Sequence, residues 1–414
     1  MRPCGRKEKL MHAKFTATEV LGPLWHIGAV AFGVSLIATP VVRAIAYKAR
    51  IVDRPDDLLK PHSRPIAYMG GVAMCFGMLF GLGYYVVTMP KLTESRVELA
   101  RALSHWQFGA LLNNSLWNLA AIALATTVIM LVGLTDDIRS ISPGKKVLGQ
   151  MLASGILIVG GIGTKMADVF LQTVGIDAPQ WIVIPASCIL CIFVVICTCN
   201  ATNLLDGLDG LCGGVTGIIA LGFLALAVWL AMWNNFPGSD QVRVVLCLAV
   251  AGAVLGFLPY NIPPASIFMG DAGSMMLGFF VATMMALFCL EGSARWLLAS
   301  GMIFALPILD TALAVIRRLR SGKSVFAGDR SHLYDQLVDR GMSVRQVVGL
   351  FYLLSVLAAV VGVTLSIVIR ARYAVVVYLV LLVIIWTIFY KLGMITPPEH
   401  YQDPDSTDDS RTQQ

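Results

Sequence analysis

Apolar runs of about 20 residues recur along this chain from one end to the other, with the polar residues gathered into the loops between them. About eleven runs stand out, at roughly 24–47, 68–88, 116–135, 147–164, 181–200, 211–232, 242–260, 275–290, 296–316, 346–369 and 373–391. They are continuous and lack the two-residue alternation of a barrel strand, so each predicts a membrane-crossing helix. The pattern predicts an all-α fold, a polytopic transmembrane helical bundle with about 11 spans. The bundle covers 21–392 as one domain, after an N-terminal extension at 1–20. An acidic tail at 393–414, containing "QDPDSTDDS", has a composition that predicts disorder. The loop "MPKLTESRVELARALSHWQFG" (89–109) reads as an amphipathic surface segment.

Composition agrees with the pattern. At 57% hydrophobic and 14% charged, the chain is far more apolar than a soluble globular domain. No short apolar core with a small-residue cleavage site follows the basic "MRPCGRKEK", so no secretory signal peptide is expected. Nine cysteines, most of them inside apolar runs, argue against a disulfide framework. "CILC" (188–191) has neither a second pair nor a histidine to complete a zinc set.

The net charge of +6 informs through its placement. Arg50, Arg54, Lys60 and Arg64 follow the first span, and Arg139, Lys145 and Lys146 follow the third. Arg317, Arg318, Arg320, Lys323, Arg330, Arg340 and Arg345 follow the ninth. All come after odd-numbered spans, which puts that face in the cytoplasm and the N-terminus outside. Arg2, Arg6, Lys7 and Lys9 at the N-terminus disagree, but the three internal loops agree with one another and outweigh them.

The same odd-numbered loops hold nearly every unusual polar motif. They are "IVDRPDDLLKPHSRPIAYMGG" (51–71), "GLTDDIRSISPGKK" (133–146), "CNATNLLDGLDGLCGG" (199–214), "PYNIPPASIFMGDAGS" (259–274) and "RRLRSGKSVFAGDRSHLYDQLVDRG" (317–341). Asp136 and Asp137 end the third run, Asp206 and Asp209 the fifth, and Asp271 precedes the eighth. Any one of these alone is equally well a helix cap or an interfacial charge. Acidic groups gathered at one membrane face repel unless a cation joins them, and hard oxygen ligands favour Mg²⁺. Gly270 and Gly273 flank Asp271 just before a helix, where backbone N–H groups can meet an anion. Lys145, Lys146, Arg330 and His332 add positive or hydrogen-bonding groups for phosphates. Carboxylates for a metal beside cations for phosphates are the equipment of phosphoryl transfer at a membrane surface.

At these residues the chain resembles the polyprenyl-phosphate N-acetylhexosamine-1-phosphate transferase superfamily, of the glycosyltransferase 4 type. The matching motifs are "GLTDD" (133–137), "NATNLLDGLDGL" (200–211) and "FMGDAGSMMLG" (268–278), with "VDRPDDLLKPHSRPIAYMGG" as the family's first loop. The resemblance covers roughly 20–390 and makes the bundle a transmembrane catalytic domain. It implies transfer of a sugar-1-phosphate, GlcNAc-1-phosphate above all, from a UDP-sugar to undecaprenyl phosphate with release of UMP. It implies Mg²⁺, with Mn²⁺ as the alternative metal, held by Asn203 and Asp271. Asp136 and Asp137 match the catalytic acidic pair, and His332 can donate to a phosphate. Asp206 and Asp209 fall beside the uridine or its pyrophosphate, and Phe268 is placed to stack on uracil. Lys145 and Arg330 remain the phosphate-binding cations.

The implied partners are the UDP-sugar, the polyprenyl phosphate and membrane lipids, with no nucleic acid and with a homodimer left open. The implied place is the bacterial inner membrane, with the site facing the cytoplasm at the first membrane step of a cell-envelope glycan. Two departures stand out: "SHLYDQL" keeps His332 but lacks the recurring histidines of that loop, and Ala67 stands where many members have proline. A phospho-MurNAc-pentapeptide translocase-type enzyme is the nearer alternative, with ten spans and a histidine run in that loop. An ion-coupled transporter is the alternative from another class, but it would place its charges near the bilayer midplane.

Overall fold

Each apolar run is helical in the computed structural model, which describes residues 13–53, 65–89, 92–105, 107–173, 175–233, 239–320, 332–369 and 371–394. The bundle helices are α1 (Trp25–Lys48), α2 (Gly70–Thr88), α3 (Ser115–Arg139), α4 (Pro143–Val159), α5 (Gln180–Leu205), α6 (Leu211–Trp233) and α7 (Ser239–Asn261). They continue as α8 (Gly270–Cys289), α9 (Ala294–Ile303), α10 (Ala305–Arg320), α11 (Leu333–Asp339), α12 (Val344–Val368) and α13 (Ala371–Lys391). A helix satisfies its own backbone hydrogen bonds, which is what lipid requires of a lone segment. The amphipathic stretch forms a helix at Leu92–Ser104 with only Leu92 and Ala102 buried, as expected of a surface segment.

α8 is the centre of the bundle. After Asp271 it has no acidic or basic residue and is largely apolar all round, so it packs on every side, with the whole of its span buried. α2, α3, α5 and α9 surround it, while α1 packs on α2 and α7.

Fewer spans are shown than the roughly eleven expected. Among the described residues eight helices are long and apolar enough to cross a membrane, or nine if the bent pair α9–α10 counts as one span. The run read at 147–164 is the 17-residue α4, whose first turn carries Lys145 and Lys146. The run at 296–316 breaks at Phe304 and bends by 73°. The last run is helical over Ala371–Lys391.

Strands β1 (Val52–Asp53) and β2 (Ile66–Ala67) add a minimal antiparallel hairpin at the end of α1. Its edge joins the loop before α8: Phe268 N donates to Ala67 O at 2.8 Å and Gly70 N to Phe268 O at 2.9 Å. The eight described cysteines are all free.

Candidate active site

One end of the bundle gathers segments from five loops. The start of α8 is their meeting point, and two glycines allow it. A Cβ on Gly133 would overlap the Asp271 carbonyl, so its absence lets the α3 backbone lie against α8. Gly270 adopts a positive φ of 69°, and a Cβ there would collide with the Asp137 carboxylate. Asp137, one turn beyond Gly133 on the same face of α3, thereby reaches the N-terminus of α8. Its Oδ1 accepts from Asp271 N at 2.7 Å and its Oδ2 from Ala272 N at 3.1 Å. Both oxygens are used on otherwise unpaired helix-end donors, so Asp137 fixes where Asp271 points.

Lys146, on the first turn of α4, joins the two remaining carboxylates. Its Nζ lies 2.7 Å from Asp136 Oδ2 and 2.6 Å from Asp271 Oδ2. Asp136 Oδ1 accepts from Ile141 N at 2.7 Å, which closes the tight turn between α3 and α4. From the last turn of α5, Asn203 Nδ2 donates to Asp271 Oδ1 at 2.7 Å and to Ser274 Oγ at 3.0 Å. Asp136, Asp137, Asn203 and Asp271 therefore form one hydrogen-bonded cluster with Lys146.

Asp206 caps α5 beside the cluster. Burial, together with the charges of Asp271, Asp137 and Asp209, holds its carboxyl well above the usual range. Asp209 faces elsewhere: its Oδ2 accepts from Ala265 N at 2.8 Å and ties the loop after α5 to the loop before α8. Asn261 makes a second tie, accepting from Gly210 N at 3.1 Å and donating to Ile267 O at 3.1 Å. Tyr352 adds a third by donating to Gly210 O at 2.6 Å.

Phe268 is half-buried, its ring centroid 5.8 Å from that of Tyr68. Burial and the nearby charges of Asp53, Asp137 and Asp206 raise the Tyr68 phenol, so it stays a protonated donor at the rim. Lys145 is exposed and does not join the cluster. With Arg139 and Ser140 it lines an open cavity of about 530 Å³ beside the α3–α4 turn. Arg330 and most of the first polar loop lie outside the described residues.

His332 is buried one layer away. Its Nδ1 lies 2.8 Å from Asp310 Oδ2, and its ring stacks on Tyr334 with centroids 5.4 Å apart. Tyr334 Oη in turn donates to Leu204 O at 3.0 Å, beside Asn203. Sequence reasoning did not single out Asp310, Ser274, Asn261, Tyr68 or Tyr352, and of two adjacent lysines it chose Lys145. Asp310 carried a usable signal, being the one ionisable residue deep in an apolar run.

The cluster suits a hard cation. Its donors are carboxylate and amide oxygens, and the side chains of Asp136 and Asp271 keep 15% and 23% exposure. Among the described residues no three of His, Cys, Asp and Glu form a ready-made cage. Mg²⁺ takes one or two carboxylates and completes its shell with water and phosphate, so an open site of this kind fits it.

Comparison with known proteins gives the arrangement a context. Residues 119–289, which contain all of the cluster, match the family described as Glycosyl transferase family 4. A Mycobacterium tuberculosis protein named decaprenyl-phosphate N-acetylglucosaminephosphotransferase is 30% identical over 342 residues, covering 79% of this chain and 78% of its own. A Salmonella typhi protein named undecaprenyl-phosphate alpha-N-acetylglucosaminyl 1-phosphate transferase is 27% identical over 334 residues, covering 78% and 79%.

Proposed function

The chain belongs to glycosyl transferase family 4, and from that premise we propose that it transfers GlcNAc-1-phosphate from UDP-GlcNAc to a polyprenyl phosphate such as undecaprenyl phosphate. The observation that carries this reading is the meeting of Asp136, Lys146, Asn203 and Asp271 from four helices at one end of a membrane bundle. In the reaction an oxygen of the lipid phosphate bonds to the phosphorus that bears the sugar. The bond from that phosphorus to the bridging oxygen breaks, and UMP leaves with the oxygen. The attacking oxygen is already ionised near neutrality, so positioning and charge stabilisation dominate the requirement.

The chain's residues divide that work. Asp271, Asn203 and the partly exposed Asp136 would hold Mg²⁺, which supplies Lewis-acid stabilisation of charge on the transferring phosphate. Lys146 offers the same phosphate a fixed ammonium. Asp137 acts by holding the start of α8, and the excess of carboxylates, Asp206 included, favours cations in the pocket. Phe268 and Tyr68 offer ring faces for the uracil, and Lys145 and Arg139 stand at the rim, where they attract phosphates without touching the reacting one. The basic residues at this end, Arg50, Arg139, Lys145, Arg340 and Arg345 among them, favour a cytoplasmic orientation in a bacterial inner membrane.

The purified protein is expected to release UMP from UDP-GlcNAc only with both undecaprenyl phosphate and Mg²⁺ present, with one lipid-linked GlcNAc formed per UMP. EDTA should abolish the release and added Mg²⁺ restore it. A panel of UDP-sugars that yields no UMP under these conditions would reject the reading.

A further inference from the structure

The bend between α9 and α10 has a chemical consequence. By turning 73° at Phe304, α10 carries Asp310 to the start of α11. There Asp310 is 1% exposed and His332 3%. A carboxylate so buried is costly unless both oxygens are paired, and both are. Oδ2 meets His332 Nδ1 at 2.8 Å and Oδ1 accepts from Leu333 N at 2.8 Å. Asp335 is the second carboxylate near this histidine, but it engages the backbone: its Oδ2 accepts from His332 N at 3.2 Å.

We propose that Asp310 is a positioning residue for catalysis, which fixes the His332 ring so that Nε2 is the atom available to a phosphate oxygen of the substrate. The inference rests on the transferase reading above. A carboxylate oxygen accepts, so this contact favours the tautomer with the proton on Nδ1. Nε2 is then a lone pair in the neutral ring and a donor in the protonated one. The stack on Tyr334, with an interplanar angle of 6°, fixes the ring plane. Tyr334 itself is anchored to Leu204 O, and a Cβ at Gly207 would overlap its hydroxyl. Asp310, His332, Tyr334 and the 203–207 segment thus form one relay, which ends at the segment bearing Asn203 and Asp206. The relay sets an orientation without touching the reacting atoms, as outer partners of functional histidines commonly do.

A double-mutant cycle tests it with the full chain in detergent micelles. Asp310→Asn keeps the volume and is expected to lower kcat for UMP release about 10- to 100-fold, with KM for UDP-GlcNAc within about twofold. In a His332→Ala background the same change should cost less than about twofold in kcat, because the ring it orients is gone. Equal losses in both backgrounds would reduce Asp310 to a structural clamp and overturn the proposal. Near-parental activity of either single variant would do the same. Should Asp310→Asn misfold, ¹⁵N-histidine spectra of the parent decide the question, with His332→Ala used to identify the resonance. A protonated Nδ1 is expected, and an unprotonated Nδ1 rejects the proposal. An inactive parent would instead reject the transferase reading.

Discussion

Two charged clusters stand at opposite ends of α8, and they have been solved in opposite ways. At the far end, Arg243 of α7 is fully buried, 2.8 Å from Asp240, paired also with Glu291 and lying over the Phe288 ring at 5.8 Å. Arg243 bridges these two acids with its guanidinium wholly inside the bundle, while Glu291 keeps 16% exposure. At the near end Lys146 also meets two acids, Asp136 and Asp271, but Asp137 and Asp206 stand beside them. The far cluster has spent its charges on holding α7 to the end of α8. The near one gathers four carboxylates around a lysine whose side chain keeps 23% exposure, against none for Arg243. The number of carboxylates and the exposure of the cation, rather than charge as such, separate a site from a fastener.

The sharpest break between the two comes from removing one charge at each end. Asp271→Asn should lower kcat for UMP release by about 10²–10³-fold, the size seen when one preorganised electrostatic group is removed. Its thermal midpoint should hold, since one of several mutually repelling acids has been neutralised. Arg243→Ala should do the reverse. It takes the buried guanidinium away from Asp240 and Glu291 and costs about 3–5 kcal/mol of stability, while activity per folded molecule stays within about threefold. Thermal melts and UMP release measured on both variants check the pair. If Arg243→Ala melts like the parent, the far cluster is no fastener.

The lysines give a finer contrast. Lys146→Ala removes the cation shared by Asp136 and Asp271 and should lower kcat about 10- to 100-fold. Lys145→Ala, an exposed neighbour, should change it by less than about threefold. Initial rates at saturating UDP-GlcNAc separate the two, and equal losses would mean that the open cavity by Arg139 takes part in the reaction.

That contrast also marks what a sequence can carry. Asp136, Asp271 and Asn203 were legible because polar residues at the ends of apolar runs are few and all fall after odd-numbered runs. Their convergence is now visible as hydrogen bonds. Lys145 and Lys146 are equivalent in composition, and a helix separates neighbours by about 100°, so only the tertiary placement of α4 chooses between them. Asp310 stood out in its apolar run, but its meeting with His332 was hidden because 296–316 reads as one straight span, and its break falls at Phe304 rather than at Pro307. Arg243 was hidden for a related reason: its partners come from one turn before it and from beyond the far end of α8. Among the described residues eight or nine of the roughly 11 expected spans are shown, because hydropathy does not see that α4 has only 17 residues or that α9 and α10 bend.

Asp335 lies between the two extremes, mostly buried and next to a histidine that is itself paired, and it yields the smallest effect. Burial, with the charges of Asp310 and Asp339, pushes its carboxyl up to about 7, while His332 acts in the opposite direction. In the unfolded chain the same group ionises near 3.9. Between about pH 4 and pH 7 the unfolded state therefore sheds a proton that the folded state keeps, so this stability contribution is whole below pH 4 and fades as pH rises through 7. Asp335→Asn cannot titrate but still offers an oxygen to His332 N. Its stability relative to the parent should rise by about 1 kcal/mol from pH 5 to pH 8, a value reduced for solvent screening. Thermal midpoints in detergent at the two pH values check this. Parallel behaviour of parent and variant would mean that Asp335 is ionised in the fold, balanced by its histidine as Asp240 and Glu291 are by Arg243.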